Sequence, residues 1–313
     1  MEASFKFRNF EGAAGRSWPE PSSRAALDFV PERTTFPDPE LWAAARRPDT
    51  SFEPAGDCAL RKWGEGLPLA LFHGGLGSWR HWVANIPCLA GQFQVLAVDL
   101  PGFGSAASVH AAAGGIYLDS VLRSFRLIVE RYGPVHLAAF GFGAALAGKV
   151  ARRLPAGVRA LTLLSPGGLS DECGGSLDLR GVPSRSNDVR AHRAALAHNL
   201  GQLMTTNAPE PDDAIVDIQM INVAQLRFDG CKVSQRARLL EDLAETSAPL
   251  QVIWGRKDRL IAPDTIEMRM SRLCAARPDA EICVLPHGAH WIQFEQSATV
   301  NALLIDFHTR EQA

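Results

Sequence analysis

Between Leu67 and Leu285 the chain repeats one pattern, a short apolar run followed by a stretch with helical spacing. The runs are Leu67–Phe72, Gln94–Val98, Val135–Ala139, Ala160–Leu164, Leu250–Trp254 and Glu281–Leu285. They lack the alternation of a half-exposed strand, which is the mark of strands covered on both faces. Val121–Tyr132, Phe142–Leu154, Thr265–Arg272 and Ala298–His308 carry apolar residues at helical spacing instead. Such alternation commits the chain to an α/β fold: a mostly parallel sheet, right-handed crossovers and helices on both faces. An edge strand is expected in the segment DCALRKW, which starts at Asp57. With 313 residues, a single core can bury most of its apolar side chains without staples.

Two segments break the rhythm. Residues 1–55 are rich in Pro, Arg and acidic residues and read as an N-terminal arm, with one short helix around Leu41–Arg46. Residues 169–246 show no strand signal, only helical pieces at Asp188–Met204 and Asp212–Arg227. An insertion there makes a helical cap over the C-terminal edge of the sheet, where open α/β sheets bind ligands. The expected division is an arm (1–55), a first core part (56–168), a cap (169–246) and a second core part (247–313).

Charge and composition narrow the partners. A net charge of -2 with 21% charged residues gives no global field for nucleic acid or an anionic membrane. The six cysteines form no C-x-x-C pair and no metal-type spacing, and several lie in apolar runs as small hydrophobes. That usage suits a reducing compartment. The first residues lack the basic-then-apolar pattern of a signal peptide, and Val135–Gly148 is too short and glycine-rich to span a bilayer. A cytoplasmic location is the expectation. No cofactor or metal is expected either: GFGAAL places Leu146 where a dinucleotide fingerprint needs its third glycine, and no phosphate loop occurs. The expected partner is a small-molecule substrate.

Four landmarks carry chemistry. LFHGGLGSW, Leu71 to Trp79, ends a strand in a Gly-Gly turn whose backbone N–H groups can face a developing negative charge. VDLPGFG, Val98 to Gly104, reads as a strand end and a structural turn. VHLAAFGFGAALAG runs from a strand into a helix through small residues, as a nucleophile elbow must when helix packs against strand. Centring the elbow on Gly141 puts Ala139 and Gly143 at the flanks. Centring it on Gly143 also finds glycine, so neither register supplies a serine, cysteine or aspartate. Last, WGRKD sets Asp258 just past one strand and VLPHGAHWIQFE sets His290 just past the next. Adjacent strand ends bring such a carboxylate and imidazole within reach, so that one orients the other. Ser78 and Ser165 fall on loops at the same edge, and Trp79 and Trp291 are candidate walls of an apolar pocket.

From about Asp57 to its end, the chain resembles the α/β-hydrolase superfamily, in particular bacterial hydrolases with a helical cap. The H-G-G loop, D-L-P-G-F-G, the elbow, W-G-x-x-D and G-A-H-W-x-Q-x-E stand in that family's order. The resemblance implies that Asp258 and His290 are the acid and base of a triad. It also implies that the N–H groups of Gly75 and Phe142 form an oxyanion hole, and that Gly141 stands where the nucleophilic serine belongs. Ser78, Trp79 and Trp291 are the expected substrate-binding residues. Three functions fit: an enzyme using the His290–Asp258 dyad as general base without covalent catalysis, a serine hydrolase with its nucleophile replaced at 141, or a ligand-binding protein without turnover.

Overall fold

A computed structural model describes residues 7–9, 39–45, 52–108, 114–169, 177–181, 188–228, 230, 238–261 and 265–311. Its frame is a nine-stranded sheet in the order β1-β9-β8-β7-β6-β4-β5-β3-β2. The strands are β1 (Phe7–Asn9), β2 (Glu53–Ala55), β3 (Cys58–Trp63), β4 (Leu67–Phe72), β5 (Phe93–Asp99), β6 (Val135–Phe140), β7 (Val158–Leu164), β8 (Leu250–Gly255) and β9 (Glu281–Leu285). Pairing is parallel except near one edge, where β3 runs antiparallel to both β5 and β2. Every apolar run of the sequence is a strand, within two residues at either end.

Ten α-helices are described beside the sheet: α1 (Pro39–Ala45), α2 (Ile86–Leu89), α3 (Gly114–Tyr132), α4 (Phe142–Arg153), α5 (Val189–Leu203), α6 (Ala214–Ala224), α7 (Leu239–Ala244), α8 (Ile266–Ala276), α9 (Ile292–Glu295) and α10 (Ser297–Arg310). Side chains on successive strand residues point to opposite faces, and the core divides accordingly. Ala70 and Phe72 of β4 pack with α3, α4, α7 and α8, while Leu69 and Leu71 pack with α1, α2, α5, α6 and α10. Helix α3 starts seven residues before the expected Val121, because Gly114 and Gly115 open it and hide its start from a propensity reading. Thr265 caps α8, its Oγ1 accepting from Met268 N at 3.2 Å. Of the N-terminal arm, β1, α1 and residues 52–55 fall within the described residues.

One polar seam runs through the apolar layer between the sheet and α10. Thr162 Oγ1 donates to Gln251 Oε1 at 3.2 Å and therefore accepts from His308 Nε2 at 3.1 Å. That leaves His308 Nδ1 to accept from His136 Nδ1–H at 3.2 Å. Burial pushes the His136 imidazole down to about 4, and desolvation together with the neighbouring His136 pushes His308 well below its usual range. Both rings are neutral in the fold and become protonated in the unfolded chain below its ordinary value of 6.5. Stability from this pair is therefore complete above that pH and is lost as pH falls towards the folded value. Each such histidine withdraws up to about 1.4 kcal/mol per pH unit. Urea midpoints measured from pH 8 to pH 5 (~0.5-unit steps) are expected to be flat at first and then to fall below about pH 6.5. A midpoint unchanged down to pH 5 would mean that the pair is not buried neutral.

Candidate active site

Strand β6 stops at Phe140 and α4 begins at Phe142, so the chain must turn within one residue. Gly141 makes that turn at φ 52° and ψ −112°, in the left-handed range that glycine enters without cost. The turn is pinned to the neighbouring strand: Gly141 N donates to Leu164 O at 3.0 Å, and Gly167 N donates to Gly141 O at 3.0 Å. Gly143 lies inside α4 instead. A Cβ there would stand 2.4 Å from the carbonyl oxygen of His73, so helix and loop can approach this closely only over glycine.

Asp258 and His290 follow β8 and β9, which are adjacent in the sheet. Their side chains meet, with His290 Nδ1 2.8 Å from Asp258 Oδ2, and both are largely buried. The other carboxylate oxygen accepts from Leu260 N at 2.9 Å. A carboxylate on Nδ1 assigns the proton to that nitrogen, so Nε2 presents its lone pair. That lone pair is aimed at the elbow: a Cβ on Gly141 would lie 3.3 Å from Nε2 and 3.8 Å from Cε1. The ring of Phe140 backs the imidazole at 4.9 Å between centroids.

The loop after β4 passes over the same turn. A Cβ on Gly141 would lie 3.7 Å from Gly74 Cα, and a Cβ on Gly75 would lie 3.8 Å from Phe142 Cβ. Phe142 is the first residue of α4, where an N–H has no intrahelical acceptor and the helix dipole favours negative charge. Two histidines hold the loop from below. His73 Nδ1 donates to Gly74 O at 2.8 Å while its Nε2 accepts from Leu100 N at 3.0 Å. His81 Nδ1 accepts from Gly74 N at 3.2 Å. Desolvation lowers both imidazoles below their ordinary range, which keeps each neutral and fit for these bonds. His73 is thus a staple between strand ends, and His81 supports the same loop.

Insertion helix α6 grips the same loop from outside. Gln219 Nε2 donates to Leu76 O at 3.2 Å, Ser78 Oγ donates to Asn222 Oδ1 at 2.7 Å, and Arg80 donates to Gln225 Oε1 at 3.3 Å. Residues 219 and 222 lie on one side of α6, and 225 is the residue that ends it. Leu76 answers with a backbone φ of 55°, a strained value for a leucine.

The three expected substrate-binding residues, Ser78, Trp79 and Trp291, are held in protein contacts. Ser78 is fully buried and bonded to Asn222 and to Arg80 N, so its hydroxyl joins the insertion to the loop. Trp79 is also buried, with Trp63 at 5.4 Å and the guanidinium groups of Arg61 and Arg80 at 5.2 Å from its ring. Trp291 is buried against Phe294 and His81, and its indole N–H donates to His81 O at 2.9 Å. All three brace the loops of the site. Arg227 donates to the carbonyls of Gly104 and Ala106, while Arg190 is exposed.

Among the described residues no group of three or more His, Cys, Asp or Glu could hold a metal ion. No described helix is long and apolar enough to cross a membrane.

With that geometry in place, comparison with known proteins is informative. The chain is 29% identical over 268 residues to the dihydrolipoyllysine-residue acetyltransferase component of the acetoin cleaving system of Pseudomonas putida. That match covers 79% of this chain and 66% of the relative, so the chain spans just under two thirds of that protein. It is 26% identical over 270 residues to 2-hydroxy-6-oxo-6-phenylhexa-2,4-dienoate hydrolase of Delftia acidovorans, covering 79% of this chain and 90% of the relative. The solved meta-cleavage product hydrolase of Pseudomonas fluorescens IP01 superposes with a TM-score of 0.59 at 19% identity, over 81% of this chain and 94% of that one, and so shares its fold. The family model described as "Alpha/beta hydrolase family" matches residues 69–303, a span that contains the elbow, the loop after β4, Asp258 and His290. A strand order, a site layout and a sequence profile thus converge, and the chain belongs to the α/β-hydrolase family.

Proposed function

We propose that this protein is an enzyme that acts on a small carbonyl compound with His290 and Asp258 as a general-base dyad, without covalent attachment to residue 141. The observation that carries this reading is the aim of His290: its Nε2 lies 3.3 Å from where a Cβ on Gly141 would stand. The base therefore faces a position with no side chain, where a water or a substrate group can sit. In hydrolysis, the water oxygen bonds to the carbonyl carbon as His290 Nε2 takes its proton, and Asp258 steadies the imidazolium. The resulting oxyanion is received by the N–H groups of Gly75 and Phe142. Collapse breaks the bond to the leaving group, which takes the proton back from Nε2. The same base can instead remove a substrate proton in a lyase-like reaction.

Relatives named as hydrolases of 2-hydroxy-6-oxo acids support a carbonyl substrate. Helices α5 and α6 serve in this reading as the cap over the site, within the insertion 169–246. The test uses purified protein with short-chain aryl esters and 6-oxo dienoic acids. His290→Ala is expected to lower turnover by ~10²–10⁴-fold, and the parent is expected to release product with no initial burst. Equal turnover in parent and His290→Ala would refute the dyad.

A second reading has its own observation. The backbone at Gly141 keeps the sharp strand-to-helix turn that displays a nucleophile, which fits a serine hydrolase that has lost its serine.

A further inference from the structure

The motif G-A-H-W-x-Q-x-E ends in Glu295, a residue that the chemistry above does not use. Its carboxylate spans two chain segments far apart in sequence. Oε2 accepts from Ala289 N and Oε1 accepts from Thr206 N, each at 2.7 Å. Ala289 immediately precedes His290, and Thr206 lies in the turn that follows α5. On the other side of the histidine, Trp291 N donates to Met204 O at 2.8 Å in that same turn. The end of α5 and this turn reach the acid as well: Arg259, next to Asp258, donates to Gly201 O in the helix at 2.6 Å and to Thr206 O in the turn at 3.4 Å. Residues 201–206 thus hold the chain on both sides of His290 and on one side of Asp258.

We infer that Glu295 is a positioning residue, a strut that ties the turn after α5 to the His290 loop and sets the imidazole against Asp258. Charge-assisted bonds of this length are among the stronger non-covalent contacts. The alignment they protect is demanding, since a hydrogen bond weakens steeply once its angle falls much below the preferred range. A displacement of about 1 Å in a catalytic group can cost ~10²-fold in rate. The inference rests on His290 as the base, yet it can be tested without any substrate.

The experiment is proton NMR of the imidazole N–H region in full-length protein. The His290 Nδ1–H resonance is assigned by its disappearance in His290→Ala. The Nδ1–H of His73, bonded to Gly74 O, serves as an internal reference outside the strut. Glu295→Ala is expected to abolish the His290 resonance or move it upfield while the His73 resonance stays in place. Glu295→Gln has nearly the same shape but offers one acceptor where two are needed, and it should produce the same change in weaker form. It also carries the test if the alanine variant does not fold. An unchanged His290 resonance in a folded Glu295 variant overturns the strut and leaves the dyad standing. Loss of both histidine resonances together marks general loosening and overturns it too. Absence of the His290 resonance from the parent removes the dyad itself, and with it anything for Glu295 to align.

Discussion

Gly141→Ser is expected to create an ester hydrolase that releases leaving group in a burst equal to the enzyme concentration, followed by slower turnover. The hydroxyl would stand beside His290 Nε2, because a Cβ there already comes within 3.3 Å of that nitrogen. Losing a triad nucleophile typically costs ~10⁶-fold and leaves ~10³–10⁴-fold over water from binding and the oxyanion site. Restoring one should therefore raise aryl-ester turnover by at least ~10²-fold, and His290→Ala in the same background should erase the gain. The change carries a cost in stability. A non-glycine residue at φ 52° is strained by about 1–3 kcal/mol, and the imidazole must withdraw by a few tenths of an ångström. Gly141→Ala bears the same strain without a hydroxyl, so it separates chemistry from folding. A folded serine variant that never acylates would mean that the site is shaped around glycine. A parent already active through His290 without a burst would mean that serine adds a second route to an existing one.

The largest expected loss of stability lies at Asp99, a carboxylate that takes no part in the proposed chemistry. Asp99 is fully buried and pairs with the equally buried Arg61 at 3.0 Å. It also accepts from Trp79 N at 2.7 Å and from Ser105 N at 2.9 Å. Gly104 makes room for it, since a Cβ there would fall 2.3 Å from Asp99 Oδ2. Asp99→Ala removes the carboxylate that the buried guanidinium and two backbone N–H groups share. Breaking a buried pair from one side costs about 3–5 kcal/mol, a large part of a total that is usually about 5–15 kcal/mol. The melting temperature should fall by on the order of 10 °C, checked by calorimetry at pH 7.5. Replacing both partners with apolar residues of similar size should recover much of that loss. A single Asp99→Ala variant that melts with the parent would show the pair to be idle.

What could be read in advance follows from how local each signal is. The strands were legible because β6 and β8 are covered on both faces, and such runs admit few polar residues. The approach of Asp258 to His290 was legible because neighbouring strands deliver both to one edge. Roles set by tertiary contact were hidden. Nothing around Ser78 or Trp79 announces Asn222 or Trp63 as its partner, and a serine or tryptophan beside a glycine loop reads equally well as lining. His81 was missed for the same reason: its partner, Gly74 N, is a backbone group that no composition betrays. Glu295 stood in a quoted motif, but its meaning depended on Thr206, 89 residues away.

The placement of the insertion also bears on how the protein is made. Strand β7 ends at Leu164, and its outer partner β8 does not begin until Leu250. About 85 residues must therefore leave the ribosome while the far side of β7 has no neighbour. At ~5–20 residues per second that interval lasts roughly 4–17 s. During it the nascent chain presents an open, apolar strand edge, the kind of surface on which chains pair with one another. Chaperone demand in this protein should thus peak midway through synthesis, and slower translation of the insertion would lengthen the exposure.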